Sequence, residues 1–282
     1  RVDTNPDLVL VTPMTDLISV RRMLDGTWSI EGGAQPIGAA TGFELPRCDQ
    51  GDLDGNGLAD FACLGYVTGG WELVLAQNAG SGRFVFSRAP APPFSSSHHL
   101  RLFDVDGDRV DDAVVVDLHL YDDDATACPT QVCPHWAYHT GRSRGSAFLI
   151  WEAQEDPTFA TIGTPWEETS VHDGDFDGDG RRDLLISVSG ATMEGPYTRL
   201  TTVLGRGRSV LRWESQGQGV TGFAGTISVG DTDRDGVDDL LMASVHLRHD
   251  AAACGEAMDF HHTRPSTALG LGTGRFALPA AL

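Results

Sequence analysis

An all-β chain built from small antiparallel repeats is predicted by three features of this 282-residue sequence. A nine-residue aspartate pattern, D-x-D-x-[DN]-x-x-x-D, occurs four times. Each copy runs into a short apolar, partly β-branched stretch. Between copies a turn of G-x-G-R type recurs, again followed by an apolar stretch. Fixed spacing of this kind is the signature of a repeat architecture.

The aspartate pattern appears as DLDGNGLAD (52–60), DVDGDRVDD (104–112), DFDGDGRRD (175–183) and DTDRDGVDD (231–239). Hard divalent calcium takes six to eight oxygens at about 2.4 Å. Acids at places 1, 3 and 5 of a tight turn can converge on one point. Place 7 offers a backbone carbonyl and place 9 closes the shell. Glycine at place 6 permits the positive φ of a sharp turn. The second copy has Arg109 there, so its site is expected to be the weakest. An Asp-Gly turn is also an ordinary hairpin turn, but four copies with acids at places 1, 3 and 9 favour metal. An EF-hand is excluded: place 12 is Cys63, Val115, Ile186 and Met242, none acidic. The following segments FACLGY, AVVVDLHL, LLISVSG and LLMASVHL read as strands.

The intervening segments complete the unit. WELVLA, HWAYH, RLTTVL and STALGL read as strands before the Gly-rich turns. The turns and the strands after them are NAGSGRFVF, GRSRGSAFLIW, LGRGRSVLRW and LGTGRFAL. Each unit therefore holds four strands: A before the aspartate turn, B after it, C before the Gly-rich turn and D after it. Such a unit cannot cover both of its faces alone, and radial repetition is the β-propeller solution. Five units are expected, at 1–40, 41–94, 95–165, 166–222 and 223–282, forming one domain. The first is incomplete, with PDLVLV as a strand B that no strand A precedes. A closed five-blade ring and a piece of a longer chain both remain open.

The Asp-rich turn, the apolar strand B and the L-x-x-G-x-G-x-F ending resemble the FG-GAP/VCBS repeat family, which includes the propeller of integrin α subunits. The resemblance implies one calcium in each A–B hairpin, up to four ions. Its side-chain ligands would be Asp52, Asp54, Asn56 and Asp60; Asp104, Asp106, Asp108 and Asp112; Asp175, Asp177, Asp179 and Asp183; Asp231, Asp233, Asp235 and Asp239. The carbonyls of Leu58, Val110, Arg181 and Val237 would fill place 7.

Composition bounds the partners. Forty acidic residues against 20 basic ones, all arginine, give a net charge of −20. Such a chain repels nucleic acid and anionic membranes and attracts cations. No apolar run is long enough to span a membrane. No signal peptide begins at Arg1, which reads as a mature or a cytosolic chain. Cys48 and Cys63 flank the first aspartate turn and would face each other if in register. Cys128 and Cys133 could close a small loop, and Cys254 is left over. Disulfides would suit an extracellular or periplasmic setting, where calcium is plentiful.

The B–C connections of the third and fifth units are long, at 117–134 and 244–265. Long loops on a rigid frame usually carry binding. A protein or glycan partner is therefore expected at 117–140 and 244–265, with an accessory role in a larger assembly as the alternative. Seven histidines fall there: His119, His135, His139, His246, His249, His261 and His262. They are read as scattered surface residues rather than a transition-metal site. Asp122, Asp123 and Asp124 are read as solvated. Trp28, Trp151 and Trp213 lie on D strands and are read as inter-blade packing, whereas Trp136 and Tyr138 are candidates for ligand stacking. Gly141-Arg-Ser143-Arg-Gly145 matches a nucleophile elbow but lacks the strand-to-helix setting that elbow needs. Ser143 is therefore read as a turn residue and the chain as non-enzymatic. A calcium-dependent polysaccharide-acting enzyme is the remaining alternative.

Overall fold

The computed structural model describes residues 8–11, 16–22, 28–36, 44–67, 70–80, 83–91, 97–119, 135–143, 150–156, 168–192, 195–206, 212–221, 225–248 and 260–277. Every helix or strand among them is a β-strand. The chain divides into two compact units, Arg1–Pro157 and Thr158–Leu282.

The first unit holds three antiparallel sheets, each a meander in chain order. One is three-stranded: β1 (Leu8–Val11), β2 (Asp16–Arg22) and β3 (Trp28–Pro36). The next joins β4 (Glu44–Gly51), β5 (Asp60–Val67), β6 (Gly70–Asn78) and β7 (Phe84–Pro90). The last joins β8 (Ser97–Phe103), β9 (Asp112–His119), β10 (His135–Arg142) and β11 (Ile150–Asp156). The second unit holds two four-stranded meanders. They are β12 (Glu168–Gly174), β13 (Asp183–Thr192), β14 (Gly195–Arg206) and β15 (Arg212–Thr221), then β16 (Gly225–Gly230), β17 (Asp239–Arg248), β18 (Phe260–Gly270) and β19 (Phe276–Ala277).

In β5, β9 and β13 the strand after the aspartate turn is an unbroken apolar run because it lies inside the sheet with both faces covered, whereas in β17 Leu240 and Met242 are buried and Leu241 is 46% exposed. In β5, Ala62 and Leu64 face one way and Phe61 and Cys63 the other, and all four are at most 4% exposed. Ala113–Val116 of β9 and Leu184–Ile186 of β13 are buried likewise. The outer strand β7 is mostly open, with Val85 57% exposed.

Within each unit, neighbouring four-stranded sheets pack face to face. Leu53, Ala62, Leu64, Leu73 and Leu75 meet Leu100, Leu102, Ala113 and Val115 in one core. Phe176, Leu185, Leu200 and Leu204 meet Ile227, Leu240, Met242, Ala268 and Phe276 in the other. Phe176 and Phe276 pack edge to face with ring centroids 5.5 Å apart. On β4 and β5, Cys48 and Cys63 stand opposite in register and form a disulfide. Cys128, Cys133 and Cys254 lie outside the described residues.

Truncating a fully buried ring leaves a cavity as well as losing its transfer energy. Phe176→Ala is expected to cost about 3–5 kcal/mol in denaturant melts. Val85→Thr, on the exposed strand, is expected to stay within about 0.5 kcal/mol.

Candidate metal centres

Each aspartate loop joins two adjacent strands of one sheet: β4–β5, β8–β9, β12–β13 and β16–β17. All four are folded by one set of hydrogen bonds between carboxylates and backbone amides.

The place-1 aspartate caps the turn. Asp52 accepts from the Asn56 and Gly57 amides at 3.0 and 2.8 Å. Asp104 accepts from Gly107, Asp108 and Arg109 at 2.7, 3.1 and 2.8 Å. Asp175 does the same with Gly178, Asp179 and Gly180, and Asp231 with Arg234, Asp235 and Gly236. Place 5 then accepts from place 7: Leu58 to Asn56, Val110 to Asp108, Arg181 to Asp179 and Val237 to Asp235, at 2.7–3.0 Å. Place 3 accepts from place 5 in three loops: Asp54, Asp177 and Asp233, at 3.1–3.2 Å.

Both places 4 and 6 take positive φ, not place 6 alone. Gly55 and Gly57, and Gly178 and Gly180, do so at 73–82°. Arg109 adopts 70° at place 6, and Arg234 adopts 66° at place 4. The strain expected for the second loop is therefore shared by the fourth.

The place-9 aspartate does more than close a shell. Its two oxygens join the loop to strand C. Asp60 accepts from the Leu53 amide at 2.9 Å and from Asn78 of β6 at 2.6 Å. Asp112 accepts from Val105 and Ser143 at 3.2 and 2.9 Å. Asp183 accepts from Phe176 and Gly205 at 3.0 and 2.8 Å, and Asp239 from Thr232 and Gly270 at 2.9 and 2.8 Å. All four carboxylates are at most 2% exposed.

Three loops gather carboxylates from places 1, 3 and 9: Asp52, Asp54 and Asp60; Asp175, Asp177 and Asp183; Asp231, Asp233 and Asp239. In each group one oxygen per residue lies within 4.8 Å of the others. The second loop gathers places 1, 3 and 5 instead: Asp104, Asp106 and Asp108. A compact all-oxygen, multiply charged donor set fits a hard divalent cation such as calcium and suits soft metals poorly. Once bound, such an ion would supply charge neutralisation and cross-link the turn.

Without a cation the charges are costly. Burial pushes the Asp112 and Asp183 carboxyls up to about 7, and Asp60 up to about 6; the two amides on each pull down, and neighbouring loop carboxylates push up again. At Asp239 burial also acts upward, but hydrogen bonds led by the Thr232 hydroxyl leave it below its ordinary value.

Place 8 carries residues that the sequence reading did not single out. The Asp111 carboxylate accepts from the Asp52 amide at 2.7 Å, and the Asp111 amide donates back to the Asp52 carbonyl at 2.7 Å. Asp238 and Asp175 repeat this reciprocal pair at 2.8 Å each way. Each pair ties one aspartate loop to the loop of the neighbouring sheet. The approach is close: a Cβ on Gly51 would lie 2.7 Å from the Asp111 carboxylate. Ser143 also bridges sheets, its hydroxyl donating to the Leu53 carbonyl. It is 3% exposed, consistent with a structural turn residue.

Residues 52–115 match the family described as an FG-GAP-like repeat. The chain carries an FG-GAP-like repeat. The FG-GAP-like segment spans the first two aspartate loops and runs into β9. The loops at 175–183 and 231–239 reproduce its hydrogen bonds. A search of curated proteins found no match.

The two segments read as long connections are in part paired strand. Asp117–His119 pairs with His135–Ala137, and Ser244–Arg248 pairs with Phe260–Arg264. Residues 120–134 and 249–259, with Asp122, Asp123, Asp124 and His249, lie outside the described residues. His119 stands opposite His135, and His246 opposite His262, at the same register position of two sheets. Two readings change. Tyr138 is fully buried and is not a surface for ligand stacking, and His139 is 7% exposed rather than on the surface. Trp151 packs on the core beneath it and donates from Nε1 to the Pro90 carbonyl at 3.1 Å.

Removing a place-8 carboxylate leaves a part-buried amide unpaired. Asp111→Ala and Asp238→Ala are each expected to cost about 1–3 kcal/mol by chemical denaturation. The pH response follows from the place-9 carboxyls. Folded Asp112 and Asp183 keep their protons up to about pH 7, whereas unfolded aspartates lose theirs near 3.9. Over that window the folded state binds more protons, so stability falls as pH rises. In chelator the melting temperature is expected to be lower at about pH 8 than at about pH 5, and saturating calcium to shrink or reverse the difference.

Proposed function

We propose that the chain is a calcium-stabilised β-propeller, with blades of four antiparallel strands, that binds a glycan or protein through its two B–C hairpins. The reading is supported by consecutive four-stranded meanders packed face to face, the FG-GAP-like repeat and the oxygen-lined loops. The observation that carries it is one carboxylate turn recurring four times with the same hydrogen bonds. A solvated hairpin turn has no need of a buried carboxylate.

The calcium role is structural. In each four-stranded sheet the carboxylate turn caps one end of strand B. The connection to strand C leaves from the other end. Binding through the hairpins around 117–140 and 244–265 is thereby separated from the ions. The role is non-enzymatic: Ser143, the one nucleophile in a motif-like frame, is spent on a structural hydrogen bond. An extracellular or periplasmic location fits the Cys48–Cys63 disulfide and the calcium demand. Among the described residues no helix is long and apolar enough to cross a membrane.

Two measurements test this. Ions that bind only the folded state stabilise it by about 2.7 kcal/mol per site at a hundredfold excess over Kd. Calcium is therefore expected to raise the melting temperature and chelation to lower it; indifference to both would refute the metal reading. Replacing residues 120–134 and 249–259 by short glycine-containing turns is expected to abolish capture on glycan and extracellular-protein arrays with calcium uptake unchanged. Undiminished capture by that variant would refute the hairpin reading.

A further inference from the structure

We propose that Arg142 is a built-in cation of the second aspartate loop, so that this loop takes calcium far more weakly than the other three. The inference rests on the calcium reading above and assigns its stoichiometry.

The Arg142 guanidinium lies 3.6 Å from the Asp106 carboxylate, the place-3 acid of the loop, and 3.7 Å from Glu152. Both partners of the first pair are largely covered, with side chains 17% and 23% exposed. Asp106 Oδ1 is buried without a hydrogen-bond partner, as is Arg142 Nε. In the other three loops the corresponding acids, Asp54, Asp177 and Asp233, accept the place-5 amide. Asp106 instead faces the guanidinium. The carboxylate grouping changes with it, from places 1, 3 and 9 to places 1, 3 and 5.

The arginine belongs to this sheet alone. Each place-9 aspartate holds an amide at or just past the end of strand C, and the residue before that amide is Gln77, Arg142, Leu204 or Leu269. At that position of the repeat only the second sheet carries a charged side chain, and it reaches its own loop. A calcium ion drawn to Asp106 would sit against a guanidinium that has little water to screen it. Two cations at that range repel by several times what they would in bulk water. The arginine must move, or the ion stays out. Backbone strain at Arg109 does not account for the difference, because Arg234 is equally strained in a loop that keeps the usual grouping.

Calcium binding to the wild-type protein and to Arg142→Met, which keeps the apolar stem, tests this by native mass spectrometry and titration calorimetry. The wild type is expected to load three ions tightly, and Arg142→Met a fourth with affinity gained by about tenfold or more. Adding Asp104→Asn to Arg142→Met should remove that fourth ion and leave three, which also verifies folding. Four equivalent ions in the wild type, or three in both proteins, would overturn the inference while leaving the calcium reading intact. No ion in either protein would sink both. Should Arg142→Met fail to retain three ions, Arg142→Gln carries the same test.

Discussion

A carboxylate buried inside a β-sheet is the constraint from which the rest of this structure follows. An isolated charge in such a place is prohibitive, and it persists only if hydrogen-bonded, protonated or paired. Asp60, Asp112, Asp183 and Asp239 each receive two backbone amides, one from their own loop and one from the end of strand C or, for Asp112, from Ser143 just past it. Those bonds fix where the turn begins relative to a strand two places along the sheet. They do not discharge the carboxylate, which is why Asp112 and Asp183 hold protons up to about 7. A divalent ion supplies the missing charge without breaking either amide bond, since each carboxylate oxygen has a second lone pair. A cation held there would also be within reach of the oxygens at places 1 and 3, which lie nearer the surface than place 9.

The same nine residues also attach one sheet to the next. The place-2 side chains Leu53, Val105 and Phe176 are buried, while Thr232 turns its hydroxyl to Asp239. Leu53 and Phe176 belong to the cores between neighbouring sheets. Asp111 and Asp238 then clasp the backbone of the adjacent loop. Fixing the turn therefore fixes the intersheet packing, so a cation that stiffens a loop reaches beyond its own hairpin.

The four-stranded meanders were legible because the turn chemistry is local. A caps-and-glycine pattern within nine residues and an apolar run after it depend on little outside themselves. The opposition of Cys48 and Cys63 was legible for the same reason, because hairpin register counts outward from the turn. What the chain order conceals is what a neighbouring sheet brings. Asp111 reads as one more acid in an acidic motif until Asp52 is found across from it. Arg142 reads as part of a glycine-rich turn until its guanidinium is found beside Asp106. Tyr138 looked available beside a variable insert, yet pleat alternation on a strand covered on both faces buries it. The double role of place 9 was half visible: its acidity marked a ligand, and its burial could only come from the sheet around it.

Variation and stability are divided between the two ends of strand B. At one end, changing any of places 1, 5 or 9 removes a bond that the turn needs, and in three of the loops place 2 is buried. At the other end the B–C ladder differs in length from sheet to sheet: seven register pairs join β5 to β6 and β9 to β10, and nine join β13 to β14 and β17 to β18. Added residues there lengthen a ladder that is already antiparallel, and each new pair supplies its own backbone hydrogen bonds. Insertions at that end therefore need no rearrangement of the carboxylates. A fold that must keep its acids in place can still differ from sheet to sheet where strand B meets strand C.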